Sequence, residues 1–342
     1  MKKSMKYFGV FFALPLMLMI AGVSTSLAAK KVTIGYQLVY NPWKAAIADG
    51  SIEKATGYDI DFRKFNSGSK VINAMASGDV QIALAGSSPI AAGVSRGIDI
   101  QLVWIFEDIA SAEALVVRNG SGIVSPQDLK GKKLGVPFVS TTHFHTLFAL
   151  EQFGIEPNEL EIINMQPNQI AAAWLRGDID AAFVWDPALG RIKETGKVLI
   201  TSGQLCKWGK CTFDGMVADK KWAKENKDFM AKFLKIVAAA DESYRSNPMA
   251  WSPGSMEVKS IVKLVGGKAE DVPGVLALYD FPTAKQQASA AWLGGGKDGG
   301  AARALMFTSE FLKNEKKIPS VQPDYGKFVN PEYVEAALKM MQ

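Results

Sequence analysis

The chain has 342 residues but only two histidines and two cysteines. That scarcity removes most routes to metal binding, nucleophilic catalysis and proton transfer. His143 and His145 are two positions apart on an expected helix, so they do not share a face. The HExxH, GxSxG and GxGxxG motifs are absent, as is GxxxxGK followed by Ser or Thr. No metal site, no cofactor and no catalytic residue is expected. Basic runs of five or more are also missing. Once Lys2, Lys3 and Lys6 are set aside, 36 basic residues face 34 acidic ones. A chain so near neutrality is not built to bind nucleic acid. Beyond the N-terminus no 18 consecutive residues are apolar, so no further membrane span is expected. What remains is ordinary for a globular protein, with 48% apolar and 21% charged residues.

Residues 1–28 read as a secretion signal. Lys2, Lys3 and Lys6 supply its positive start, Tyr7 to Val23 its apolar stretch, and Ser26-Leu27-Ala28 a small-residue cleavage site. The mature protein is then expected to be periplasmic. In that oxidising compartment Cys206 and Cys211, with four residues between them, are candidates for a disulfide, against two free thiols in a loop.

After the signal, short apolar runs alternate with helical stretches, beginning with Val32 to Tyr36 and a helical segment from Trp43 to Lys54. Repeated strand–helix–strand units predict an α/β fold with mostly parallel sheets. One stretch echoes another: Ala76-Ser77-Gly78-Asp79-Val80-Gln81-Ile82-Ala83 resembles Leu175-Arg176-Gly177-Asp178-Ile179-Asp180-Ala181-Ala182. In both, a helix is expected to end on a glycine in the left-handed conformation. The glycines are 99 residues apart, a spacing that suits two similar α/β lobes rather than a solenoid. The chain would cross between lobes near Glu113–Val117 and return near Asp214–Ala218. Lobe 1 would be 29–114 plus 215–342, including a helical C-terminal region, and lobe 2 would be 115–214.

Open α/β sheets bind ligands beyond the carboxyl ends of their strands. Three segments there place hydroxyl groups before a helix: Ser67-Gly68-Ser69, Gly86-Ser87-Ser88-Pro89 and Ser140-Thr141-Thr142. Helix-start N–H groups and added hydroxyls suit an anion, although each segment alone is explained by helix capping. Glu113 and Asp214 stand at the two crossings, where a carboxylate can accept hydrogen bonds from an ammonium group. Tyr40, Trp43, Trp185 and Trp208 lie near expected strand ends or loops and offer aromatic faces to a cation, with core packing as the alternative.

Gly35-Tyr36-Gln37, Ser77-Gly78-Asp79, Gly86-Ser87-Ser88-Pro89, Glu113 to Val117, Val136 to His143, Arg176 to Asp180 and Val184-Trp185, taken together, resemble the periplasmic taurine-binding proteins of ABC importers. The resemblance implies a two-lobed type II periplasmic binding fold. It implies a sulfonate held by Ser87, Ser88, Ser140, Thr141 and Thr142 with Gln37 nearby, and an ammonium held by Glu113 and Asp214 with Trp185 as a wall. It further implies a monomer that delivers its ligand to a membrane permease driven by an ATPase. Three places depart from the pattern. They are the cysteine pair with Lys210, Asp186 before Pro187, and the bulky run Leu38 to Trp43 with Tyr40. Asp186, Tyr40 and Trp43 are therefore further ligand candidates. A different sulfonate, nitrate or a zwitterionic ammonium compound stands as the alternative ligand, and an enzyme of the thiamine-pyrimidine synthesis type as the alternative activity.

Overall fold

The computed structural model describes Met1 and residues 29–342, so the expected secretion signal, Met1 apart, lies outside the described residues. Among the described residues, ten strands form two five-stranded sheets. The first four are β1 (Lys31–Gln37), β2 (Asp59–Phe65), β3 (Ile82–Gly86) and β4 (Ile100–Asp108). Then come β5 (Glu113–Arg118), β6 (Lys133–Val136), β7 (Glu161–Asn164), β8 (Ala181–Trp185), β9 (Gly196–Thr201) and β10 (Phe213–Asp219). The first sheet has the order β2-β1-β3-β10-β4 and the second β7-β6-β8-β5-β9. β5 and β10, the strands at the two crossings, each enter a sheet antiparallel to both neighbours. The sheets are therefore mixed rather than nearly all parallel. A strand arriving from the other sheet needs no helical crossover, so nothing forces it to run parallel.

The early helices are α1 (Trp43–Ala48), α2 (Ser51–Thr56), α3 (Gly68–Ala76) and α4 (Ser87–Ser95). The second sheet carries α5 (Thr141–Phe153), α6 (Pro167–Arg176), α7 (Ala188–Lys193) and α8 (Ser202–Lys207). The segment expected as one helix from Trp43 to Lys54 is two, because Gly50 takes φ 68° between them. Helices follow from α9 (Lys220–Glu225) and α10 (Lys227–Ser246) through α11 (Met256–Val265), α12 (Val272–Leu276), α13 (Ala284–Ala288), α14 (Gly300–Asn314) and α15 (Glu332–Lys339).

The echoed glycines behave alike: Gly78 has φ 83° and Gly177 has φ 79°, a region costly to any residue with a Cβ. Burial on both faces explains the apolar runs. In β3 and β8 every residue is buried, as expected for central strands with helices on either side. One core joins Ile34, Leu84, Trp104 and Phe106 of the first sheet to α10 and α14, and continues onto α6 and β8. A second core holds Leu115, Leu134, Leu147 and Phe183. The C-terminal helices pack against the first sheet, and α14 also reaches the second, where Phe311 meets Phe144 of α5 edge-on at 4.8 Å.

Candidate functional site

The carboxyl ends of β1 and β3, the start of β5 and the start of β10 converge at one buried place. Asp214 is the register partner of Gly86 at the end of β3. A Cβ placed on Gly86 would stand 3.2 Å from Asp214 Oδ1 and 2.9 Å from Thr141 Cγ2. Gly86 is therefore where the first sheet touches the start of α5 on the second, and the missing side chain lets them meet. Gln37, the last residue of β1, donates from Nε2 to Asp214 Oδ1 at 3.2 Å. Glu113, the first residue of β5, accepts from Thr141 Oγ1 at 2.5 Å, and its other oxygen lies 3.0 Å from Ser202 Oγ. Trp185, the register partner of Glu113, donates from Nε1 to the Leu38 carbonyl at 3.2 Å and so ties the second sheet to the loop after β1.

The hydroxyl-bearing helix starts lie beside the same place. Helix α4 starts at Ser87, and the hydroxyls of Ser87 and Ser88 are buried without a hydrogen-bond partner. A buried hydroxyl with no partner is costly, and its place at a helix start suits an anion. Helix α5 is capped by Ser140, which accepts from the His143 N–H at 3.0 Å, while Thr142 Oγ1 lies 2.8 Å from Ser140 Oγ. Before the cap, Val139 has φ 59°, a strained conformation for a β-branched residue. The start of α3 is close too: a Cβ on Gly68 would lie 3.1 Å from Gln37 Oε1.

The site holds more charge than the sequence suggested. Glu107 of β4 is the register partner of Asp214 and is fully buried. Asn41 Nδ2 donates to it at 3.3 Å, and Lys44 Nζ, also fully buried, donates to Asn41 Oδ1 at 2.8 Å. Burial pushes the Glu107 carboxyl well above its usual range, and the neighbouring Asp214 adds to this. Burial also raises Asp214, to about 6, against the bond to Glu107, the Lys44 charge and the bond to Gln37. Lys44 is lowered by burial to about 7, against the attraction of Glu107 and Asp214. Tyr279 lies close enough that its phenol is raised by burial and by Glu107, Asp214, Asp186 and Glu113.

Other expected residues lie apart from this group. Trp43 sits in the core, stacked on Phe106 at 5.1 Å, with Lys44 Nζ 4.7 Å from its ring. Tyr40 donates to the Gly266 carbonyl at 3.0 Å within a separate cluster with Val258 and Ile261. Asp186 accepts from the Gly190 N–H at 2.9 Å, while its second oxygen is buried without a partner; burial raises it to about 6. Trp208 is half exposed. Cys206 and Cys211 are joined, and the loop they close presents the Lys210 carbonyl to His145 Nε2 at 2.7 Å.

Two α/β sheets brought together at one buried place, with a hydroxyl-rich helix start from each and a carboxylate at each crossing strand, have the two-lobed type II fold of periplasmic binding proteins. Comparison agrees at two levels. Residues 54–250 match the model described as NMT1/THI5 like, and the chain belongs to that family. It is 38% identical over 316 residues to the taurine-binding periplasmic protein of Escherichia coli, covering 92% of this chain and 96% of that one. Among solved structures, the periplasmic aliphatic sulphonate binding protein SsuA of Escherichia coli superposes with a TM-score of 0.70 at 21% identity, covering 88% of this chain and 98% of that one. The desulfurization enzyme DSZB shares the fold at 14% identity and a TM-score of 0.63, covering 92% of this chain and 100% of that one.

Proposed function

We propose that this protein captures taurine or a closely related amino-sulfonate between its two sheets and delivers it to an ABC permease. The observation that carries the reading is the meeting of opposite requirements in one buried place. The unpartnered hydroxyls of Ser87 and Ser88 suit an anionic acceptor, while the buried acids Glu113 and Asp214 suit a cationic donor. A short zwitterion with a sulfonate at one end and an ammonium at the other meets both. The sulfonate stays ionised at any physiological pH, so fixed O–H and N–H donors suffice to hold it. Gln37 orients Asp214, and Trp185 closes one side.

In this reading 29–114 plus 215–342 form one lobe and 115–214 the other, and ligand shifts the balance between open and closed forms. The closed monomer docks on a permease whose ATPase drives uptake from the periplasm, after residues 1–28 are removed on export. The protein carries out no chemistry. The fold shared with a desulfurization enzyme makes turnover worth measuring, and sulfite released from an aromatic or alkyl sulfinate by the purified protein would replace the transport reading.

Calorimetry with taurine and ethanesulfonate tests the ligand. Asp214→Ala is expected to weaken taurine on the order of 100-fold or more, because it removes a buried charge partner, and ethanesulfonate far less. Equal losses for both ligands would take Asp214 out of the ammonium role.

A further inference from the structure

We propose that Glu113 meets the ligand as an uncharged carboxylic acid, fixed in that form by Ser202 and His145, and that Asp214 alone supplies the matching negative charge. The inference rests on the amino-sulfonate reading and refines it. Ser202 and His145 then act as positioning residues behind the site.

The argument is a count of hydrogens along a buried chain of contacts. The Lys210 carbonyl, 2.7 Å from His145 Nε2, can only accept, so Nε2 carries the hydrogen. A neutral imidazole has one N–H, which leaves Nδ1 as an acceptor. Ser202 Oγ lies 2.8 Å from Nδ1 and must donate its single hydrogen there. The same oxygen lies 3.0 Å from Glu113 Oε2 and has no hydrogen left for it. The contact is a hydrogen bond only if Oε2 carries the proton and donates to Ser202. Thr141 donates to Oε1, so every group in the chain is satisfied once.

Ionising Glu113 breaks this order. Either a pair of lone electron pairs is forced together at Ser202 or at Lys210, or His145 must take a second proton where its ring is fully buried. Burial acts in the same sense on both ends, lowering His145 to about 4 and raising Glu113 to about 8. The ionisable groups facing Glu113 are Asp214, whose charge raises it further, and Tyr279. The disulfide-closed loop between Cys206 and Cys211 thereby gains a role, because it carries the carbonyl that fixes the imidazole tautomer. Glutamine can reproduce the pattern, with its NH2 donating to Ser202 and its carbonyl accepting from Thr141. Alanine cannot.

The test uses the mature chain with histidine labelled by nitrogen-15. At pH 7 the His145 ring is expected to show the neutral Nε2–H tautomer, and to keep it when taurine saturates the site. Calorimetry in buffers of different ionisation enthalpy is expected to find the same number of protons released by wild type and by Glu113→Gln, since Lys44 and Asp214 are common to both. Glu113→Gln is expected to lower taurine affinity about threefold, Glu113→Ala about 30-fold and Asp214→Asn about 100-fold. Release of about one proton more by wild type than by Glu113→Gln, a His145 imidazolium or Nδ1–H tautomer, or a Glu113→Gln loss as large as that of Asp214→Asn would each overturn the proposal. The tautomer needs no variant, so a misfolded mutant does not shield it. Wild-type protein that fails to bind taurine would overturn the ligand reading and this inference with it. Taurine binding with the wrong tautomer would overturn this inference alone.

Discussion

Lys44, Glu107, Glu113 and Asp214 are each at most 4% exposed, and Asp214 acts electrostatically on the other three. Carboxyls so placed resist ionisation, and that gives a ligand-free prediction. Glu113 has its pKa raised from 4.5 to about 8, so the folded state holds its proton more tightly than the unfolded chain. Its contribution is complete below pH 4.5 and is lost as pH rises through 8. Glu113→Gln has no such loss. Its melting temperature is expected to gain on wild type between pH 5 and 9, by on the order of 5 °C. A constant difference across that range would mean that Glu113 titrates normally. Lys44 is the cation of the group. Lys44→Met leaves the buried Asn41 Oδ1 without the donor it has at 2.8 Å and is expected to cost about 2 kcal/mol in urea unfolding.

Among the elements, the start of α4 shows how backbone geometry sets the site. Gly86 leaves the room in which the two sheets meet, since a Cβ there would press on Thr141. Gly86→Ala is expected to weaken taurine on the order of tenfold while unfolding stays cooperative, because β3 is paired on both sides and the tightest contact of the added methyl, with Thr141 Cγ2, falls on the second sheet. Wild-type affinity in that variant would show that the contact is not part of the bound form. Elements also divide what could be read in advance from what could not. Ser87, Ser88, Thr141, Glu113 and Asp214 lie at strand ends or crossings, where alternating apolar runs stop, so local pattern points to them. Asn41, Lys44, Glu107 and Tyr279 carry no such mark. Lys44 looks like a solvated helix residue until α1 lies against the first sheet, and Glu107 looks like the polar end of β4 until β10 pairs with it. β9 is likewise hard to read, because it lies at the edge of its sheet and is half exposed, and Asp214 and Gly215 interrupt the apolar run of β10, which the sequence marks only as the return crossing.

On the scale of the whole molecule, the bond from Trp185 to the Leu38 carbonyl ties the second sheet to the loop after β1. Trp185→Phe keeps the ring and loses the N–H. It is expected to shift the unliganded protein toward a wider form, seen as a larger radius of gyration in small-angle scattering, with taurine restoring the compact value. Equal radii with and without ligand in both proteins would mean that the sheets do not part.

Glu113 opens β5 and Asp214 is the second residue of β10, so the acids proposed to grip the ligand stand on the two strands that join the halves. They sit, in effect, at the fulcrum. A fraction of an ångström gained there on an ammonium group is multiplied along each arm into a far larger travel at the lips, where a permease would feel it. Spectroscopic labels will report occupancy best when attached far from the ligand, out on those lips.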